Sequence, residues 1–220
     1  MKFEKLFNSK FYMFFEWLYR MIIINLLFIL CSVLGLIVFS IVPSFIAMIT
    51  IIKSLSTETS FPIVRPFFRI FLKHFKQNIV LSLVFLVLTL MFLFNTYFFF
   101  LAWQEYQALI NEIIFNFTLV LDGILIVSFI NALFIRVYFP NLNTLKTLKY
   151  AIILLRAMPM QFLLVFLLLI VMAVLLYYFP YFLIIMGFSI VIYIVNLLIR
   201  TKYSKLVATG VISLQAQDYL

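Results

Sequence analysis

Charge is scarce in this chain, and acid is scarcer than base. Sixteen Lys and Arg stand against seven Asp and Glu in 220 residues that are 67% hydrophobic. That is too little charge to clothe a water-soluble exterior. The one cysteine, Cys31, lies inside an apolar run, which excludes an intramolecular disulfide and a metal site built on cysteines. The one histidine, His74, has no His or Cys companion with which to hold a metal. Four glycines provide no Gly-rich phosphate loop. Long polar stretches are missing too. Nothing outside the apolar runs is long enough to fold alone, so residues 1–220 read as one domain. No cluster of reactive side chains points to an enzyme, and no cofactor is expected.

What is present is hydrocarbon in long pieces. Phe occurs 29 times, and apolar runs longer than 18 residues mark membrane-spanning helices. The basic residues fall only in alternate gaps between those runs, so all sixteen can be placed on one side of a bilayer. The positive-inside bias makes that side the cytoplasm, with both termini inside a bacterial cell membrane. The net charge of +9 then belongs to topology and to anionic lipid at the cytoplasmic face, rather than to nucleic acid. The N-terminus is basic and then apolar, like a signal peptide. The run from Met21 is too long for one and has no small-x-small site after it, so it reads as a retained first span.

The fold class expected is all-α, a polytopic membrane bundle of six helices with basic amphipathic surface helices. The spans are read as 21–40, 43–56, 79–101, 113–137, 160–178 and 181–199. The segment from Met1 to Arg20 is mixed and aromatic, and is placed at the cytoplasmic face with Trp17 and Tyr19 at headgroup level. The second span, starting at Pro43, is short. It crosses in a thinned or sheltered region, or it re-enters. Lys53, Arg65, Arg69, Lys73 and Lys76 follow it, so an even number of crossings separates them from the basic N-terminus. Arg65 to Gln77 reads as a helix lying in the interface plane, with Arg65, Arg69, Lys73 and Lys76 on one face and Phe67, Phe68, Phe71, Leu72 and Phe75 on the other. Trp103, Glu105, Tyr106 and Glu112 form an outer turn without a basic residue. A second basic amphipathic stretch, Asn141 to Met158, carries Lys146, Lys149 and Arg156 near one face and Leu145, Leu148, Ile152 and Leu155 near another. Pro159 breaks the chain into span five, and Tyr177, Tyr178 and Tyr181 surround the turn at Pro180. The unit of basic surface helix followed by hairpin thus occurs twice, which suggests a parallel repeat.

Three stretches carry a resemblance. They are Ser40 to Ala47, with its proline turn; Val64 to Asn78, with Phe67-Phe68 and Phe75-Lys76-Gln77-Asn78; and Tyr138 to Pro159, with Leu145 to Ala151 and Leu154 to Pro159. Together they resemble the YesL-like family of small bacterial membrane proteins. The family's usual glycine before the first proline is Val42 here. The family has no established activity. Its frequent association with carbohydrate ABC import systems implies an accessory role in sugar uptake, with permease subunits as partners.

Asp122 is the one acidic residue within a span, near the midplane, where a carboxyl group is expensive and is a functional candidate by default. It is read as a proton site or as a bond to a neighbouring helix. Asn116 and Asn131 share its span, and Asn95 and Asn196 lie in others. Such amides bond between helices. At about 100° per residue the directions of Asn116, Asp122 and Asn131 scatter, so no polar stripe emerges. Arg65, Arg69, Lys73, Lys76, Lys146, Lys149 and Arg156 form the surface for lipid or a partner. The expected function is a non-enzymatic accessory subunit. The alternatives are a small transporter or channel using Asp122, and a regulatory partner of a membrane sensor kinase.

Overall fold

The computed structural model describes residues 10–55 and 62–208. The expectations for Lys2, Lys5 and the C-terminal tail lie outside them. The helices are α1 (Lys10–Leu34), α2 (Ile41–Leu55), α3 (Val64–Tyr106), α4 (Leu109–Tyr138), α5 (Thr144–Ala157), α6 (Pro159–Tyr178) and α7 (Phe188–Ala208), with a π-helical turn at Leu183–Gly187 leading into α7. Among the described residues there is no strand. Five helices (α1, α3, α4, α6 and α7) are long and apolar enough to cross a membrane. The chain is a polytopic helical membrane bundle.

Three expected boundaries differ. First, α1 begins at Lys10 and ends at Leu34, so the aromatic segment is continuous with the span rather than a separate surface piece. Arg20, in mid-helix, pairs with Glu16 at 2.5 Å. The helix stops six residues before Ser40 because Gly35 opens a tight turn. A Cβ there would lie 2.4 Å from that of Ser40. The Ile37 N–H and the Ser40 hydroxyl both donate to the Ser32 carbonyl, at 2.8 and 2.6 Å, which satisfies a helix-end acceptor. Leu36 and Ile37 take positive φ values of 58° and 33°, uncommon for side chains of their size.

Second, no break separates the basic segment at 65–77 from span three. α3 is one helix of 43 residues, about 64 Å long. Sharp kinks need proline, glycine or a π-bulge. Between Phe67 and Tyr106 the helix has none of them. The basic row therefore extends the axis of the span instead of lying flat. Arg65, Arg69, Lys73 and Lys76 are all exposed on it, as is Leu72, which the sequence pattern had put on the apolar face. α5, by contrast, is cut from α6 at Met158, just before Pro159. The two units expected to repeat are built differently.

Third, the short helix is the most sheltered one. α2 has 15 residues, about 22 Å, and nine of them, from Val42 to Ile52, are buried. It packs on α3, whose buried residues run from Phe67 to Phe85. The turn before it meets the same region. Ser82 Oγ donates to the Phe39 carbonyl at 3.3 Å, and a Cβ on Gly35 would lie 3.2 Å from the Phe75 ring. Tyr106 is 24 residues beyond Ser82, roughly 36 Å along the helix. The first turn therefore sits near the basic end of α3 and not level with the α3–α4 turn, where a full out-and-back crossing by 21–40 and 43–56 would put it. Lipid is as apolar as these side chains, so α2 is held by close packing rather than by escape from water.

The core gathers at that basic end. No residue of α3 beyond Phe85 is buried, and most buried positions of α4 follow Gly123. A layer of rings ties five helices together: Phe28–Phe45 at 4.5 Å, Phe28–Phe188 at 5.0 Å, Phe45–Phe129 at 5.9 Å and Phe85–Phe129 at 4.7 Å between centroids. Beyond it, the rest of α3 and α4 project as an exposed hairpin. α5 lies on the bundle through a narrow stripe, Thr147, Ala151 and Leu154. Leu145 and Ile152 face outward beside Lys149 and Arg156.

Candidate functional site

Two groups of polar side chains stand out, one on the hairpin and one at the basic end. On the hairpin, the Thr96 hydroxyl donates to Asp122 Oδ2 at 2.6 Å. The two helices run antiparallel, and Trp103 stacks on Phe115 at 5.8 Å a few turns further out. Asp122 thus locks α3 to α4, and its carboxyl is only half-buried. Asn116 is exposed and donates back to the Glu112 carbonyl of its own helix at 3.0 Å. Asn131 points elsewhere, into a cavity of about 10 Å³ shared with Gln161 and Tyr203, with room for one water at most. The three intramembrane candidates are therefore not brought together, as the scatter of their helical directions implied. Asp122→Asn is expected to change stability by less than about 0.5 kcal/mol, because an amide oxygen still accepts from Thr96. Asp122→Leu is expected to lose about 1 kcal/mol, read by thermal unfolding in detergent.

Asn95, next to that lock, is different. It is exposed and has no side-chain hydrogen bond among the described residues. It lies 11 residues from the end of α3, about 16 Å deep, between the exposed side chains of Met91 and Phe98.

At the basic end, Arg136 is buried. Its guanidinium donates to the Leu142 carbonyl and, at 3.0 Å, to Thr144 Oγ1. One side chain thereby fastens the loop after α4 and the first turn of α5. The Asn143 side chain caps that turn by accepting from the Thr144 N–H at 2.7 Å. Lys53 Nζ stands 3.8 Å above the centre of the Tyr138 ring, a cation–π contact that joins α2 to α4. Tyr203 of α7 closes the group, 5.3 Å from Tyr138 and 6.1 Å from Phe134. Lys149 and Arg156 are exposed and Lys146 is half-exposed, all on α5. They are separate from the row of Arg65, Arg69, Lys73 and Lys76 on α3. Among the described residues no three His, Cys, Asp or Glu side chains gather.

Sequence reasoning passed over both Asn25 and the role of Arg136. Asn25 is wholly buried. Its amide donates to the Ile184 carbonyl at 2.7 Å and its oxygen accepts from the Ser189 N–H at 3.1 Å. It therefore bridges α1 to both ends of the π-helical turn, whose irregular backbone needs partners that lipid cannot supply. A lone amide in an apolar run was the available signal.

A family described as "Protein of unknown function, DUF624" matches residues 21–96, roughly a third of the chain. The matched stretch contains Asn25, all of α2, the basic row of α3, and both Asn95 and Thr96. No curated protein and no solved structure matches the chain.

Proposed function

We propose that this chain is a non-enzymatic accessory subunit of the bacterial cell membrane, packed laterally on the permease of a carbohydrate ABC importer, which it stabilises or regulates. The observation that carries lateral packing is Asn95. An amide at this depth with no partner among the described residues is poorly placed against hydrocarbon and well placed against another transmembrane helix, where such bonds are worth roughly 1 kcal/mol. The hairpin around it is exposed on both helices, with Met91, Phe94 and Phe98 forming an adaptable apolar surround. The kind of partner rests on the YesL-like resemblance, with which the family match is consistent. In this reading the cationic rows of α3 and α5 face the cytoplasm, where anionic headgroups collect.

The test is co-purification after gentle detergent extraction from cells that express the import system. A permease subunit is expected to come with the chain, and Asn95→Leu is expected to reduce its recovery about fivefold without lowering the stability of the chain alone. Recovery of a clean monomer from such cells would count against the reading. A transporter would behave otherwise: flux into proteoliposomes would be present and would vanish in Asp122→Asn. The Thr96–Asp122 lock argues for the structural role.

A further inference from the structure

Between α4, α6 and α7 lies a cavity of about 360 Å³. That falls in the range of roughly 300–1,000 Å³ typical of small-molecule sites. Phe129 and Leu133 of α4, Met172 and Leu176 of α6, and Phe188 and Ile192 of α7 line it, and hardly any polar surface faces it. A sugar or an ion would surrender its water here and find nothing to bond. The cavity exists because α6 leans on the bundle through few residues; only Val165 and Met172 of its twenty are buried. Its mouth is lateral. Ile126 and Ala173 line it and are also exposed, one on each lip, between α4 and α6.

The surroundings decide the occupant. All the lining residues but Phe45 lie within the candidate membrane spans, so the medium outside the mouth is acyl chain. Left empty, the cavity would forfeit the dispersion contacts of every lining atom. The π-helical turn ends at Gly187, which contributes no side chain to the wall it lines. Such turns are uncommon and occur often at functional sites. Asn25 holds this one open from behind. Along α7 towards the basic end, Lys202 is exposed, eleven residues and so three turns past Val191 on the same face, or roughly 16 Å.

We propose that the cavity holds one acyl chain of an anionic phospholipid, whose phosphate sits at Lys202. The inference is independent of the permease reading.

Full-length protein purified in a mild non-ionic detergent is expected to retain about one phosphatidylglycerol per chain, read by lipid mass spectrometry. Ala173→Phe and Ile126→Phe, one on each lip, are expected to lower retention about tenfold. Val171→Phe, on the exposed side of α6, is expected to leave it unchanged. Replacing Lys202 by Ala is expected to shift the retained lipid from phosphatidylglycerol towards phosphatidylethanolamine, whereas Arg200→Ala, on the other face of α7, is expected to leave it unchanged. An independent readout needs no variant: a diazirine-bearing acyl chain in phosphatidylglycerol membranes is expected to label Met172 or Leu176. The proposal fails if the wild type retains no phospholipid, if the retained lipid is an isoprenoid, if both lip variants retain as much as wild type, or if labelling is confined to exposed positions such as Leu163 and Val174.

Discussion

Asn25→Leu is expected to destabilise the protein by roughly 2–6 kcal/mol, since it strands one acceptor and one buried donor at about 1–3 kcal/mol each. The acceptor is the Ile184 carbonyl and the donor the Ser189 N–H. In a soluble protein, water could enter and take over. In hydrocarbon it cannot, so the π-helical turn must either stay unsatisfied or rewind to an ordinary helix. Rewinding shifts every side chain after Gly187, including Phe188, which packs on Phe28 at 5.0 Å. Unfolding in mixed detergent measures the loss. A change below about 0.5 kcal/mol for the leucine variant would show that the bridge is not what holds the turn.

Arg136→Met is expected to cost about 3 kcal/mol and to release the loop that joins α4 to α5. The estimate takes two hydrogen bonds from a charged donor at about 1.5 kcal/mol each. The Leu142 carbonyl and the Thr144 hydroxyl are both held by this one guanidinium. Lysine at the same place keeps the charge but has no planar fork to serve two acceptors, so Arg136→Lys is expected to recover less than half of the loss. Protease cutting between Phe139 and Asn143, together with thermal unfolding in detergent, reads both effects. Faster cutting without a matching stability loss would confine the role of Arg136 to the loop. Unchanged cutting would remove it from the clamp altogether.

Sequence and structure agree where backbone chemistry changes along with hydropathy. Pro159 begins α6, and Pro66 sits in the first turn of α3, where a missing N–H does no harm. They part company near Asn78. There the pattern turns from amphipathic to wholly apolar, which reads as the end of one helix and the start of another. Such a change alters which solvent a helix prefers, but not its hydrogen bonding, and without proline or glycine the helix runs on. The placement of α2 was hidden for a related reason. Its composition says that it avoids water, and only packing tells whether lipid or protein surrounds it. Asp122 was visible as an isolated acid in a span, and its partner Thr96 was not, because the pairing depends on the register of two antiparallel helices. The π-helical turn at Leu183–Gly187 has no periodic signature, so the role of Asn25 opposite it could not be read in advance.

The unbroken course of α3 has a mechanical consequence. It is gripped from Phe67 to Phe85 and from there to Tyr106 is fastened to α4 by the Thr96–Asp122 bond and the Trp103–Phe115 stack, which makes the pair a lever with its fulcrum beside the ring layer. A neighbour leaning on Phe94 or Tyr97 turns the whole rod. The push is carried along one continuous helix towards Phe67 and α2, since no proline, glycine or π-bulge lies between to act as a hinge.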